Sequence, residues 1–504
     1  MIRKWKKFPF PWLLPVLFFA ALWLLGTTGI YNDSNQYIAM HIHREPLYSF
    51  FLWIFRSLFG ETKYLDIVRF LQNGLAAFSV IWLAESLKKR FAFGQWMEAL
   101  VCLILLAPHI ITPVFSASGL VLSNGVISEA LGLPLFYLFT AQCMKMVYTR
   151  QRGAALSSLL LSLFLSLVRG QMMFTILLWL VFAGAVVIVE KKKLAKRLLI
   201  CVVCTALAFG TRTLLVKSYN LVFNGYFINN TFGSVGLLAN ILYAADEEDA
   251  ERIVDRDARV MFELSYRLAK EQGATYQDAP EGFFNRAAHL EKWHDAIKFE
   301  MIEEPWRQLH DREGFIDYIP ENVESDRIAA TIVKSLLPAV LGRWLYDYLA
   351  LACYGLIRSI AVVHPLLNWY ALTAYLAYIV LAALAWRKNH NSNAVWLAAF
   401  SLLASLCGTL VRSPYLAALM LGLLCFGGLG LTSVLGNFPL WVGYVISCFQ
   451  LPLVWISCSA WFTELGLNAV LPWQETIATG GNLLLLSAGT ALALRRFRRK
   501  DVTT

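Results

Sequence analysis

Runs of apolar residues, separated by short polar segments, recur along almost the whole chain. Most have about the twenty residues that an α-helix needs to cross the hydrocarbon core of a bilayer. The pattern therefore predicts an all-α polytopic membrane protein with about 12 transmembrane helices. The predicted spans are residues 10–29, 65–87, 97–115, 126–147, 154–168, 172–189, 198–217, 366–386, 394–411, 414–434, 440–462 and 477–494.

The Lys and Arg residues between these spans predict the orientation of the chain. If the spans alternate from a cytoplasmic N-terminus, every basic cluster lies on the cytoplasmic side of the membrane. Examples are "KKR" (88–90), "KKKLAKR" (191–197) and "RRFRRK" (495–500). Cytoplasmic loops carry such an excess, so both termini are predicted to be cytoplasmic. Residues 30–64 then form the first outward loop. The first span lacks a convincing small-x-small cleavage site and is interpreted as an anchor.

The overall composition is typical of a membrane protein, and the distribution of charge predicts one additional domain. The chain is 58% hydrophobic and 15% charged, whereas soluble domains are about half apolar and a quarter charged. Residues 218–335 contain 22 acidic and 12 basic side chains, although the whole chain has a net charge of +10. Charge pairs at helical spacing fill "DEEDAERIVDRDARVMFELSYRLAKEQG". We therefore expect an acidic, mostly helical extracytoplasmic domain here.

Four regions follow from these patterns: an N-terminal transmembrane module (1–217), the extracytoplasmic domain (218–335), interfacial helices (336–365) and a C-terminal transmembrane bundle (366–504). The segment "RWLYDYLALACYGLIRSIAVV" (343–363) is ambiguous. As a span it would carry Arg343, Asp347 and Arg358. An amphipathic helix in the outer interface accommodates these charges better.

Three ionisable residues stand at the predicted outward ends of spans. Asp33 follows the first span, Glu129 opens the fourth, and Arg169 lies at the turn between two short spans. Ionisable groups at membrane depth are costly and commonly functional. Each also has a purely structural explanation: Asp33 as a turn or N-cap residue, Glu129 as a carboxylate at a helix N-terminus, and Arg169 as a snorkelling side chain. Their occurrence at one membrane face favours a functional site.

Further motifs surround these three residues in a fixed order. Tyr37 follows Asp33 by four positions, and "REPLYSFFLWIFRSLFG" begins at Arg44 and includes Tyr48. The next span, "VRFLQNGLAAFSVIWLAESLKKRF", contains a Gln and ends in basic residues. "ISEALGL" then surrounds Glu129, and "SLVRGQMMF" surrounds Arg169.

This order resembles the polytopic, lipid-carrier-dependent glycosyltransferases of the GT-C class, in particular bacterial relatives of the dolichyl-phosphate-mannose protein mannosyltransferases. The likeness covers roughly residues 10–190. One departure is that Ser34 follows Asp33 where relatives often carry a second acid. The resemblance implies inverting transfer of a sugar from a polyprenyl-phosphate donor to a hydroxyl acceptor, at the outer face of a bacterial cytoplasmic (inner) membrane. The acceptor would be a glycolipid, a polysaccharide or a protein, and membrane lipids surround the chain.

The implied chemistry gives the matching residues roles. Asp33 would be the catalytic base that takes the acceptor proton, and Glu129 would orient the acceptor or hydrogen-bond the sugar. Cations would hold the leaving phosphate, and Arg suits this role through its bidentate fork. The expected substrate-binding residues are Tyr37, His41, His43, Arg44, Tyr48 and Arg169.

No cofactor is expected. Asp33 and Glu129 could share a divalent cation, but no tight carboxylate cluster is visible in the sequence, and a metal is not favoured. "HIH" (41–43) shows no third ligand for zinc. The sequence has no patch of interleaved basic and aromatic residues of the kind that binds nucleic acid.

Two other classes remain open. O-antigen polymerases and ligases also have many spans and a large outward loop, but those loops are typically rich in Arg and His, whereas this one is acidic. Transporters typically show repeated halves with broken helices and charges near the membrane centre. This sequence has no internal repeat, and its unusual charges lie at one surface.

Overall fold

The computed structural model describes residues 10–31, 33–91, 121–231, 233–309 and 319–358, with isolated positions between 95 and 109. The predicted spans from residue 366 onward, and most of the span at 97–115, lie outside the described residues. The predicted total of 12 spans therefore stays a prediction.

The described residues are helical, and no strand occurs among them. The α-helices are α1 (Phe10–Leu25), α2 (Ser34–Ile38), α3 (Pro46–Phe59), α4 (Tyr64–Phe91), α5 (Glu129–Thr149), α6 (Arg152–Val168), α7 (Phe174–Glu190), α8 (Leu194–Asn224), α9 (Gly233–Ala244), α10 (Arg256–Glu271), α11 (Phe283–Ala296), α12 (Glu304–Leu309) and α13 (Ile319–Arg358). Short 3₁₀ turns occur between several of them, and a π-helical turn, Ile297–Glu303, joins α11 to α12.

Five stretches of the described chain are long and apolar enough to cross a membrane. They are Tyr64–Lys89, Glu129–Thr149, Gly170–Glu190, Leu194–Asn224 and Ile319–Leu351. The first four overlap predicted spans. The protein is therefore a helical membrane protein. The fifth covers the end of the predicted extracytoplasmic domain (218–335) and the first half of the predicted interfacial region (336–365).

The described chain forms two compact units. The first contains the described residues of Met1–Ala39, Glu45–Arg212 and Leu356–Thr504, and the second those of Met40–Arg44 and Thr213–Gly355. The predicted domain boundaries stay a prediction, although the helix α13 continues without a break through residues 335 and 336.

The core of the first unit lies around α5. This helix is buried on most sides by α4, α6 and α7, because it is apolar all round and so must be enclosed. Phe136, Tyr137 and Phe139 are almost fully buried there. The enclosing helices fix the position of the first residue of α5, Glu129.

The predicted first outward loop is itself helical, containing α2 and α3. An isolated parallel bridge joins Gly29 to Gly125, in the segment before α5. A second apolar cluster then includes Tyr37, Tyr48, Val126 and Val168. The loop is thus packed onto the polypeptide that leads into α5 and onto the end of α6.

The second unit has its own core, formed by α9, α10, the π-helical turn and the first half of α13. Its charges meet in pairs: Arg343 donates to Asp246, and Arg286 donates to Asp347, with 2.9 Å between Nη2 and Oδ2. The Arg286 guanidinium also lies 5.0 Å from the ring centre of Tyr276. The charges noted at 343–347 are therefore matched by partners within this unit.

Candidate functional site

Glu129 and Arg169 meet at one end of the first unit. Glu129 is the first residue of α5, and Arg169 is the residue at which α6 ends. Nη1 of Arg169 donates to Oε1 of Glu129. Arg169 Nε donates to Gln171 Oε1 at 2.7 Å, and Ser128 Oγ donates to Glu129 Oε2 at 3.2 Å. The guanidinium is therefore held from two sides while 28% of the side chain stays exposed.

Asp33 lies at the N-cap position of α2, where its side chain makes no capping hydrogen bond. The residue is exposed. Its neighbour Ser34 is fully buried; the Ser34 hydroxyl donates to the carbonyl of Val126 at 2.8 Å and accepts from the N–H of Tyr31. This bond fixes the backbone of Asp33 beside the segment that leads to Glu129.

Two tyrosines of the segment 30–64 pack against each other. The rings of Tyr37 and Tyr48 contact edge to face, with 5.1 Å between their centres. Tyr48 is completely buried, and its hydroxyl accepts from Gln72 Nε2 at 2.9 Å. The two rings give the loop a rigid base and join it to α4.

A second ion pair lies against the same turn. Glu45, the N-cap residue of α3, accepts a hydrogen bond from Nη2 of Arg212 in α8. Both side chains are nearly buried, with 9% and 12% exposed. A Cβ atom on Gly170 would lie 2.5 Å from Glu45 Oε1. Gly170 therefore allows this pair to approach the backbone directly after Arg169.

The remaining predicted residues belong to the second unit. The rings of His41 and His43 lie 4.4 Å apart, and His43 Nδ1 is in hydrogen-bond contact with the Thr231 hydroxyl. Arg44 lies near Lys298. Burial lowers the pKa of Lys298, and the positive charge of Arg44 lowers it further, while Glu303 and Asp295 oppose this shift.

No group of three or more His, Cys, Asp or Glu side chains within the described residues could hold a metal ion. The pair His41 and His43 thus has no third ligand in that part of the chain. The structure brings Tyr37, Tyr48, Glu129 and Arg169 together in one unit and fixes the backbone of Asp33 beside them.

Sequence reasoning missed Glu45 and Arg212. Glu45 lies inside the "REPLY" motif, in which the sequence favours the neighbouring Arg44 as a phosphate ligand. Arg212 is a lone cation in the apolar stretch "LAFGTRTLLV", and a charge in such a stretch is itself a signal. Its partner could not be named, because 167 positions separate the two residues.

Comparisons with protein-family models, with curated proteins and with solved structures gave no match for this chain.

Proposed function

We propose that this protein is an inverting glycosyltransferase that moves a sugar from a polyprenyl-phosphate donor to a hydroxyl acceptor. The outer face of a bacterial cytoplasmic membrane is the proposed location. The observation that carries the proposal is the pair Glu129–Arg169, which joins two helix ends beside the first loop. Such a partly exposed guanidinium at a membrane surface suits the phosphate of a lipid-linked substrate.

The proposed reaction is a single displacement. The acceptor oxygen attacks the anomeric carbon, a new glycosidic bond forms, and the bond from that carbon to the phosphate oxygen breaks. The acceptor proton passes to the carboxylate of Asp33. The polyprenyl phosphate leaves with additional negative charge, which Arg169 stabilises.

Glu129 has a more specific role in this proposal than the sequence indicated. Its carboxylate, together with Gln171, fixes the guanidinium of Arg169. A cation that is already in position reorganises little when charge develops in the transition state. Tyr37 and Tyr48 support the loop that carries Asp33. His41, His43 and Arg44 remain proposed donor contacts on the predictions of the sequence alone.

The test is the substitution Asp33→Asn in purified protein, assayed with a radiolabelled polyprenyl-phosphate sugar and membrane acceptor. Loss of a general base lowers the rate by roughly 10²–10⁴-fold. Protein folding and donor binding should be retained, since an exposed carboxylate contributes little to stability. The product should carry the opposite anomeric configuration to the donor.

Asp66→Asn is the matched control. Asp66 is also an exposed aspartate, in the first turn of α4, and its only described ion pair is with Arg69, at 3.2 Å. This variant should transfer sugar at the wild-type rate. If Asp33→Asn does the same while remaining folded, Asp33 is not the base. A wild-type protein that transfers nothing from any polyprenyl-phosphate sugar contradicts the proposed function itself.

A further inference from the structure

A cavity of about 530 Å³ lies at the other end of α5 and α6 from the proposed catalytic site. It lies within the first unit, between the end of α5, the start of α6, the last turns of α7 and the start of α8. Helix α5 has 21 residues, so the two sites are about 30 Å apart at a rise of 1.5 Å per residue. The volume is within the range of about 300–1,000 Å³ that small-molecule sites have.

The rim of this cavity is strongly basic. Five cationic side chains contribute to it, and no acidic residue does: Arg150, Arg152, Lys193, Lys196 and Arg197. The nearby Glu190 accepts from Arg197 and lies 4.0 Å from Arg150. One carboxylate therefore offsets part of the charge of two cations, and the rim keeps a net positive charge.

The interior of the cavity is apolar. Its walls include Leu156 and Ile200, which expose 59% and 50% of their surface. They also include Trp179, whose indole N–H already donates to the Ala155 carbonyl at 2.9 Å. A free inorganic anion would gain nothing from such walls. A ligand with a negatively charged head and hydrocarbon chains would contact both parts, because burying apolar surface is favourable.

We propose that this cavity binds an anionic phospholipid from the leaflet next to the basic clusters. The headgroup phosphate lies among Arg152, Lys193 and Lys196, and the acyl chains run along α6 and α8. Basic pockets between transmembrane helices are known to select acidic headgroups. The proposal is independent of the glycosyltransferase proposal, because it concerns the opposite end of the helices.

The experiment uses native mass spectrometry of the full-length protein with equimolar phosphatidylglycerol and phosphatidylcholine. Wild-type protein should retain phosphatidylglycerol preferentially. The variant Lys193→Gln/Lys196→Gln removes two rim charges, each worth about 1 kcal/mol near a membrane surface, so affinity for phosphatidylglycerol should fall roughly 30-fold.

Lys191→Gln/Lys192→Gln is the matched control. It removes two exposed charges from the same loop, but neither side chain lines the cavity. This variant should keep the preference of the wild type. Equal losses in both double variants, or no loss in Lys193→Gln/Lys196→Gln, would overturn the proposal, because the charge would then act only as a general surface effect.

A second measurement separates a lipid from a free anion. Phosphatidylglycerol should raise the thermal unfolding temperature of the wild type, and inorganic phosphate at the same concentration should not. If phosphate alone gives the same rise, the site is an anion site and the lipid proposal is wrong. Should Lys193→Gln/Lys196→Gln not fold, Arg152→Gln, at the exposed start of α6, serves the same comparison.

Discussion

Two ion pairs meet at the turn between α6 and α7, and they differ in exposure. Glu129 and Arg169 expose 19% and 28% of their side chains, whereas Glu45 and Arg212 expose 9% and 12%. The first pair joins two helix ends at a surface. The second joins the first loop to an apolar helix, and Nε of Arg212 is buried without a hydrogen-bond partner among the described residues.

The difference in exposure indicates different roles. The pair Glu129–Arg169 is accessible to a substrate, whereas the pair Glu45–Arg212 stabilises the fold. The more exposed pair is expected to contribute less to stability than the buried one, since water reaches and screens it. A buried pair is costly to break, because removal of one partner leaves an uncompensated charge. We therefore expect substitutions at Glu45 to affect folding and substitutions at Arg169 to affect function.

The largest effect on stability is expected for Glu45→Ala. The change leaves Arg212 buried without its carboxylate, which typically lowers the free energy of unfolding by about 3–5 kcal/mol. Denaturant titration of the purified protein in detergent measures this quantity. The control is Glu61→Ala, since Glu61 is 66% exposed and pairs with Arg56; a change below about 1 kcal/mol is expected there. Equal stability of the two variants would contradict the structural role of the buried pair.

A smaller loss is expected for Gly170→Ala. The new methyl group would lie 2.5 Å from Glu45 Oε1, and displacement of that oxygen disturbs its bond to Arg212. Overpacking of this kind costs about 1–3 kcal/mol. Gly153→Ala is the control, because nothing lies within 4 Å of its Cβ position.

A double-mutant cycle then isolates the cause. In a Glu45→Ala background the obstacle for the Gly170 methyl group is gone, so Gly170→Ala should cost much less than in the wild type. The same cost in both backgrounds would show that Glu45 is not what makes the glycine necessary.

The smallest effect on stability is expected when the exposed pair is reversed. In Glu129→Arg/Arg169→Glu the two opposite charges remain adjacent, but each then faces the like-charged end of a helix dipole, so the free energy of unfolding should fall by about 1–2 kcal/mol. Sugar transfer should nevertheless be lost, because the cation has moved away from the proposed phosphate position. Transfer at the wild-type rate by the reversed pair would mean that only the attraction between the charges matters.

Sequence patterns anticipated part of this arrangement. The apolar runs located α4, α5, α7 and most of α8, because the length of a crossing helix is set by the bilayer. Alternation of the spans predicted that Glu129 and Arg169 lie at one membrane face, and in the structure the two side chains form an ion pair. That inference needs only the helix order, so it did not require knowledge of the packing.

The helical loop and the buried ion pair could not be predicted, because both depend on contacts between distant parts of the chain. The helical loop that contains α2 and α3 is held by the bridge from Gly29 to Gly125. The buried pair brings together residues from α3 and α8. No local pattern reports such contacts. Hydrophobic periodicity describes one helix at a time, whereas the contacts between helices are determined only when the helices pack.

Arg169 is proposed to bind the phosphate of a lipid-linked donor. The most direct test is the dissociation constant of a polyprenyl phosphate for wild-type protein and for Arg169→Ala, both in lipid nanodiscs. Loss of a charge-assisted contact of about 1.5–3 kcal/mol predicts affinity lower by roughly 10- to 150-fold, with the fold retained. Equal affinity of the two folded proteins for the polyprenyl phosphate would contradict the claim.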